Sequence, residues 1–411
     1  MYFSKPEDWV EKKIGALVLE RKTGLNIKPS QFSKNKNDYT VIHKGDIQAN
    51  GKILLTERDS RHVDEQTFKD SPGSVVDNSY LVVTLRDLVP TAPTLGLISS
   101  LPIGKGLLAQ GTYGFLVDDN VVDKSFLIHF SNSYEYRKTM KRLCVGSTQV
   151  HLRSTEFFDL KIPFPCLKEQ KAISNFLSMW DDQIDVLGNL LLQKRKRKKV
   201  IAQNIFDEKI KLKSYSGKWK EKKLGDVGEC IRGLTYSPDN ISSDGLLVLR
   251  SSNIRNSRLS FIDNVYVDME LDEKYYTQQN DILLCVRNGS RRLIGKSALV
   301  TKAISNTTHG AFMSIFRSKH GRFIYQLFQS NEFFKQVNRN LGATINSINN
   351  SDLIKFKFKF PTEGEMKDIV ELLEGLDREI DVIERLKSKV EFQKAGIMQE
   401  LITGKKRLKI S

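Results

Sequence analysis

Apolar and polar residues alternate along this chain in three ways. Over residues 169–206, Ile173, Leu177, Trp180, Ile184, Leu187 and Leu191 step by four and three residues in turn, with no proline and one glycine, Gly188. Met366, Ile369, Leu373, Leu376, Ile380, Ile383 and Val390 keep the same register further on. That spacing is the a/d seam of a long helix that needs a partner helix. A helix over 169–206 would span about 57 Å at about 1.5 Å per residue. The short apolar runs LVVTL (81–85) and ILLCV (282–286) read as buried strands. KFKFKF (355–360) alternates strictly, which predicts a strand with one apolar and one basic face. Shorter helices are predicted over 126–140 and 322–338.

These patterns occur twice. WVEKKIG (9–15) returns as WKEKKLG (219–225), and residues 146–206 align without a gap on 342–402, with 17 identities in 61 positions. The identities include Gly146/Gly342, Thr148/Thr344, Phe164/Phe360, Pro165/Pro361, Glu169/Glu365, Lys171/Lys367, Asp181/Asp377 and the Ile-Asp-Val runs 184–186 and 380–382. The glycine, threonine and proline matches lie outside the helices, so shared heptads alone do not produce them. The expected fold is α+β: two globular mixed α/β domains, an internal pseudo-twofold repeat, and an antiparallel pair of long coiled-coil helices between the domains. The parts are a first domain (1–166), a first long helix (167–207), a linker (208–217), a second domain (218–362), a second long helix (363–404) and a basic tail (405–411). The seam residues Ile173, Leu177, Trp180, Ile184, Leu187, Ile369, Leu373, Leu376, Ile380 and Ile383 can cover one another, dock another subunit, or do both.

Charge narrows the partner. With 65 Lys+Arg against 49 Asp+Glu the net charge is +16, a surplus suited to a polyanion through counterion release. Cys144, Cys166, Cys230 and Cys285 form no CxxC pair, which argues against a disulfide framework or a zinc site and for a reducing cytoplasm. The first residues are polar and charged, unlike a signal peptide. No apolar run approaches the roughly 18 residues of a membrane span.

Catalytic patterns fail one after another. Gly289 to Ser297 looks like a phosphate loop, but five residues separate Gly289 from Gly295 where the motif needs four. No two prolines are adjacent, which excludes the Asn/Asp-Pro-Pro-aromatic segment of a DNA amino-methyltransferase. Glu11-Lys-Lys13 and Glu221-Lys-Lys223 match a nuclease Glu-x-Lys triplet, yet each opens a repeat beside a tryptophan, which suits the start of a strand. The six histidines form no HxH or HxxxH pair, so no metal site is expected.

Candidate contacts with DNA are polar and basic residues on loops between strands. In the second copy these are Arg250, Ser252, Asn253, Arg255, Arg287, Asn288, Ser290, Arg291 and Arg292, because Arg can bond guanine and Asn adenine bidentately. In the first copy they are Lys22, Thr23, Arg86, Thr91 and Thr94, a set with far fewer charges. The densest run, KRKRKK (194–199), fits either phosphate contact or a solvated helix face.

The order of these segments resembles the specificity subunit of a type I restriction-modification system over nearly the whole chain. The marks are the Trp-x-x-x-Lys-Leu/Ile-Gly openings, the strand that follows Asn280-Asp281, the Gly-x-Thr turn before a strand ending in Pro165 or Pro361, and the Glu-x-Lys-x-Ile helices. The resemblance implies two target recognition domains, each reading half of a split site in double-stranded DNA. It implies long helices that set the spacer and dock two adenine-N6 methyltransferase subunits, with restriction subunits completing a nuclease. Half-sites about 34 Å apart are within reach of the helix length. No cofactor is expected on this chain; S-adenosylmethionine, ATP and Mg belong to the partners. The first copy departs from the pattern: Tyr80 stands where the second has Asp281, and no Gly-Lys follows Arg86 as Gly295-Lys296 follows Arg287. The alternatives are the specificity subunit of a fused methylase–nuclease, a protein-binding coiled-coil scaffold without DNA affinity, and an enzyme with an unrecognised site.

Overall fold

The computed structural model describes all residues except 1, 2, 4, 36, 37, 49, 58–60, 89, 90, 213, 214, 303, 342–345, 410 and 411. The Gly342 and Thr344 matches of the repeat therefore lie outside the described residues. The chain forms two compact units, Met1–Gly188 with Arg385–Ser411, and Asn189–Glu384. Among the described residues no helix is long and apolar enough to cross a membrane.

The first unit is built on a four-stranded antiparallel sheet in the order Val18–Thr23, Thr112–Val117, Leu81–Thr84, Ile98–Ser100. All four residues of Leu81–Thr84 are buried, as its unbroken apolar run requires of a central strand. The opening strand Val10–Lys13 pairs antiparallel with Lys161–Phe164, so the Glu11-Lys-Lys13 triplet lies on a two-stranded ribbon, where Lys13 bonds Asp159 at 2.8 Å. A five-stranded sheet, in which Tyr39–Ile42 runs parallel to Lys105–Leu108, carries satellite cores around Ile42 and Val63. Beside it the buried Arg61 guanidinium grips the Asp46 carboxylate with two bonds, 2.7 and 2.8 Å.

The second unit repeats this plan. Its antiparallel sheet runs Glu229–Arg232, Met313–Arg317, Ile282–Cys285, Ser297–Leu299. A second sheet sets Leu246–Leu249 parallel to Thr307–His309. Lys220–Lys223 pairs with Lys357–Phe360, in which Phe358 and Phe360 are buried and Lys357 and Lys359 exposed. The basic face of that strand is largely neutralised, by Glu221 on Lys357 and Glu208 on Lys359.

Two local details differ from the sequence reading. The helix predicted over 126–140 is two helices, Lys124–Ser131 and Tyr134–Leu143, and that over 322–338 is Gly321–Phe328 and Asn331–Asn340. A serine starts each second piece; Ser330 Oγ accepts from the Phe333 N–H, the local competition that ends one helix and caps the next. The Tyr80/Asp281 departure is a change of lock. Buried Asp281 accepts two bonds from Arg317, at 2.9 and 2.8 Å. In the first unit the Tyr80 hydroxyl donates to Glu20 on the strand Val18–Thr23, two places across the sheet, and burial followed by Glu20 pushes the phenol up to about 12.

The long helices are Leu167–Phe206 and Glu363–Ile402. In the first unit Ile173 and Leu177 pack among Phe164, Met398, Leu401 and Ile402. In the second, Ile369 and Leu373 pack among Ile205, Phe360 and Met366. Ion pairs give the direction of each pairing. Asp181 meets Lys394 in the first unit, and its repeat equivalent Asp377 meets Lys198 at 2.6 Å in the second. Further along, Gly188 faces Lys387, so the helix segments of the first unit run antiparallel. Lys194–Glu379 at 2.7 Å, beside Asp377–Lys198, gives the same sense in the second.

The seam residues named above for docking are thus partly used up inside the chain. Ile173, Leu177, Ile369, Leu373 and Ile380 are buried, and Trp180, Ile184, Leu187, Leu376 and Ile383 half-buried.

Two predictions follow from this packing. Leu177→Ala and Leu373→Ala, fully buried equivalents, should each destabilise the protein by about 2–5 kcal/mol in urea unfolding; a cost below about 1 kcal/mol at either would contradict the packing. Burial pushes the His309 imidazole down to about 4, and burial with Lys394 nearby also lowers His129. Both folded values lie below the ordinary value of about 6.5, so the unfolded chain binds more protons between them. The stability they contribute should be complete above about pH 6.5 and fall towards pH 4; flat stability over that window would contradict it.

Candidate nucleic-acid interface

In the second unit four separate segments are tied into one surface. The Val286 and Arg287 N–H groups donate to the Phe312 carbonyl at 3.2 and 3.0 Å, and Arg287 bridges to Ser347. The Asn288 amide donates to Ser251 Oγ at 3.1 Å, and the Asn346 amide to the Gly289 carbonyl at 3.1 Å. On this surface Arg287, Arg291 and Arg292 are exposed, and no ion pair among the described residues involves them. Arg291 and Arg292 stand on the turn Arg291–Leu293. Arg255, at a tight hairpin, is also exposed. Ser290 is half-buried, and its N–H donates to Asn288 Oδ1.

Other candidates of this unit hold the loop instead of facing outward. Asn253 is fully buried; its amide donates to the Ser260 and Asp263 carbonyls, and its Oδ1 accepts from the Arg250 N–H. Arg250 pairs with Asp263 at 3.1 Å, and Ser252 Oγ is buried without a partner. A loop this long must satisfy its own polar backbone, and a short amide side chain does so locally. Base reading by Asn253 is therefore set aside.

In the first unit Arg86 is exposed on the strand Arg86–Leu88, paired with Gln149–His151 so that Arg86 faces His151. This is the counterpart of Arg287 facing Ser347. Thr23 and Thr91 are exposed. Thr94 is held by Asp87, which accepts from its N–H and its hydroxyl at 2.7 and 2.8 Å. Lys22 is tied to Glu20 at 2.6 Å and to the Pro72 carbonyl. Lys22 and Thr94 thus shape the loop. Exposed Gln149 and His151 were missed, although the ungapped repeat sets His151 on Ser347.

The remaining basic groups are less available than the sequence suggests. Within KRKRKK, Lys194, Arg195 and Lys198 pair with Glu379, Glu384 and Asp377 of the second long helix. In the tail, Arg407 binds Asp8 and buried Glu169, both of which raise its pKa. The phosphate-loop lookalike is also accounted for. Ser297 sits in a buried strand, its hydroxyl accepting from Gln329 at 2.8 Å, and Gly295 takes φ +85° beside the Phe333 and Phe334 rings. Among the described residues no three His, Cys, Asp or Glu side chains gather as a metal would require. Burial pushes the Cys230 thiol up to about 12 and Cys285 up to about 11, which leaves both poor nucleophiles.

The two units thus share one duplicated scaffold, and the second carries arginines on its loops. The type I restriction modification DNA specificity domain matches twice, over residues 6–193 and 216–392, and the chain belongs to that family. It is 26% identical over 424 residues to the type I restriction enzyme MjaVIII specificity subunit of Methanocaldococcus jannaschii, covering 98% of this chain and 94% of that protein. It is 24% identical over 408 residues to the StySPI specificity subunit of Salmonella potsdam, covering 92% and 84%. The fold matches the crystal structure of a type I restriction-modification S subunit from M. genitalium with a TM-score of 0.57 and 16% identity, over 96% of each chain.

Arg291→Ala with Arg292→Ala should lower affinity for duplex DNA uniformly across sequences. The slope of log affinity against log salt should fall by about 0.9 per arginine that meets a phosphate. An unchanged slope in the double variant would remove both from the interface.

Proposed function

We propose that the chain is the noncatalytic DNA sequence-specificity subunit of a type I restriction-modification complex. It recognises a bipartite site and directs methyltransferase and restriction subunits to it. The observation that carries this reading is the pair of equivalent but unlike faces. Arg86 opposite His151 and Arg287 opposite Ser347 occupy the same place on the same scaffold, with different loops around them. One scaffold with two loop sets suits two different half-sites, because base contacts specify while the scaffold positions.

Partner docking is supported by apolar side chains that the long helices leave exposed. These are Met179, Val186, Leu386 and Phe392 in the first unit, and Leu190, Leu192, Leu372 and Val382 in the second. Solvated apolar positions on a helix pair suit added partner helices. We assign them to two adenine-N6 methyltransferase subunits; S-adenosylmethionine, ATP and Mg belong to the methyltransferase and restriction partners.

The test is co-expression with the cognate methyltransferase followed by sequencing of modified bases. One bipartite motif carrying N6-methyladenine is expected. Absence of methylation with every cognate partner would overturn the reading, and a motif without a gap would overturn the division into half-sites.

A further inference from the structure

Resting on that reading, we infer that Arg232 and Arg287 form the guanine-reading centre of the second unit, in a pocket that holds their donors to one base edge. The pocket has a volume of about 370 Å³ and is lined by Arg232, Thr235, Arg287 and Asn349, with Val286 and Met313 among its apolar walls. No carboxylate lines it, and neither arginine takes part in an ion pair among the described residues. Both arginines are exposed, so the pocket presents positive hydrogen-bond donors outward. Water accepts from those donors in the free protein, and a base edge that offers acceptors can take its place.

Support from below separates these arginines from the others. The Arg287 backbone is pinned by the Phe312 carbonyl and by Ser347, and its guanidinium lies 5.9 Å from the centre of the exposed Phe312 ring. A ring face restricts the guanidinium plane, and a bidentate contact needs that. Arg232 ends the strand Glu229–Arg232, in register with Ser314. Arg291 and Arg292 stand on a short turn with no such support, and we assign them to phosphates. In the major groove guanine presents two adjacent acceptors, O6 and N7, whereas adenine and cytosine each present a donor. Guanine's paired acceptors are the base edge that a held guanidinium meets with two parallel donors.

The first unit lacks this arrangement at the equivalent place. Thr23-Gly24 stands where the second unit has Arg232-Gly233, and both glycines press against a carbonyl, of Ala109 and Gly310 respectively. A side chain is excluded at either glycine, so the preceding residue is the first that can differ. The guanine contact belongs to the second unit's half-site alone.

The experiment is selection from a random duplex DNA library by the full chain with its methyltransferase partner, using wild type, Arg287→Lys and Arg232→Gln. Wild type should enrich a two-part motif. Each variant should lose preference for guanine within one half by about 5- to 150-fold, leaving the other half intact. Arg287→Lys keeps the charge, so its affinity for unrelated DNA should stay within about threefold of wild type. An unchanged motif in both variants would overturn the inference and leave the DNA-reader assignment standing. A uniform loss of affinity with an unchanged motif would show phosphate contact, and would likewise overturn it. Wild type enriching no motif would overturn the reading beneath it.

Discussion

An amphipathic helix as long as those of this protein cannot leave its seam in water. Burying the seam is the constraint on which the remaining structure depends. In each unit a half of one long helix lies antiparallel to a half of the other, with the globular domain packed on the same residues. Ile173 and Leu177 do this in the first unit and Ile369 and Leu373 in the second. The lysine–aspartate locks, Lys394 on Asp181 and Lys198 on Asp377, fix the register at equivalent places. These pairs are partly buried, and a slip of register would separate both.

Once the seam is covered, the helices' charges are organised by it. Much of the densest basic run faces the acids of the other long helix, so its positive charge is not a free patch. Arg287, Arg291 and Arg292, on loops of the second unit, stay exposed and outside any ion pair among the described residues. Those loops differ between the units while the strands beneath them keep the same order. The chemistry of recognition can thus change without disturbing the core, since a loop residue touches few packed neighbours.

The first unit shows how far such divergence goes. Tyr80 with Glu20 replaces the buried Asp281–Arg317 pair, and the strand that follows is still fully buried. The lock at the start of the strand is therefore a requirement for satisfying polar groups, which either chemistry meets. The loop after Arg86 carries one charge against several after Arg287, so the two faces differ in chemistry on a shared scaffold.

Much of the architecture was legible in the sequence. The repeat, the long helices, the buried strands and the alternating Lys357–Phe360 strand all follow from periodicity, which reports only which side of an element meets water. The absence of a phosphate loop and of a Pro-Pro segment also rests on spacing alone. What periodicity cannot report is where a particular polar group finds its partner. Asn253 and Thr94 were reasonable base readers by residue type, but the fold uses their side chains to close loops. Arg250, Lys22 and Arg407 look like free charge by residue type, but Asp263, Glu20, and Asp8 with Glu169 pair with them. Nothing adjacent in the chain marks Arg232 or His151, and only strand pairing sets His151 opposite Arg86 and Arg232 beside Ser314. Hydrophobic pattern is a local property of the chain and was decided there; hydrogen-bond and charge partners are set by which strands and helices become neighbours, and those were decided by the tertiary structure.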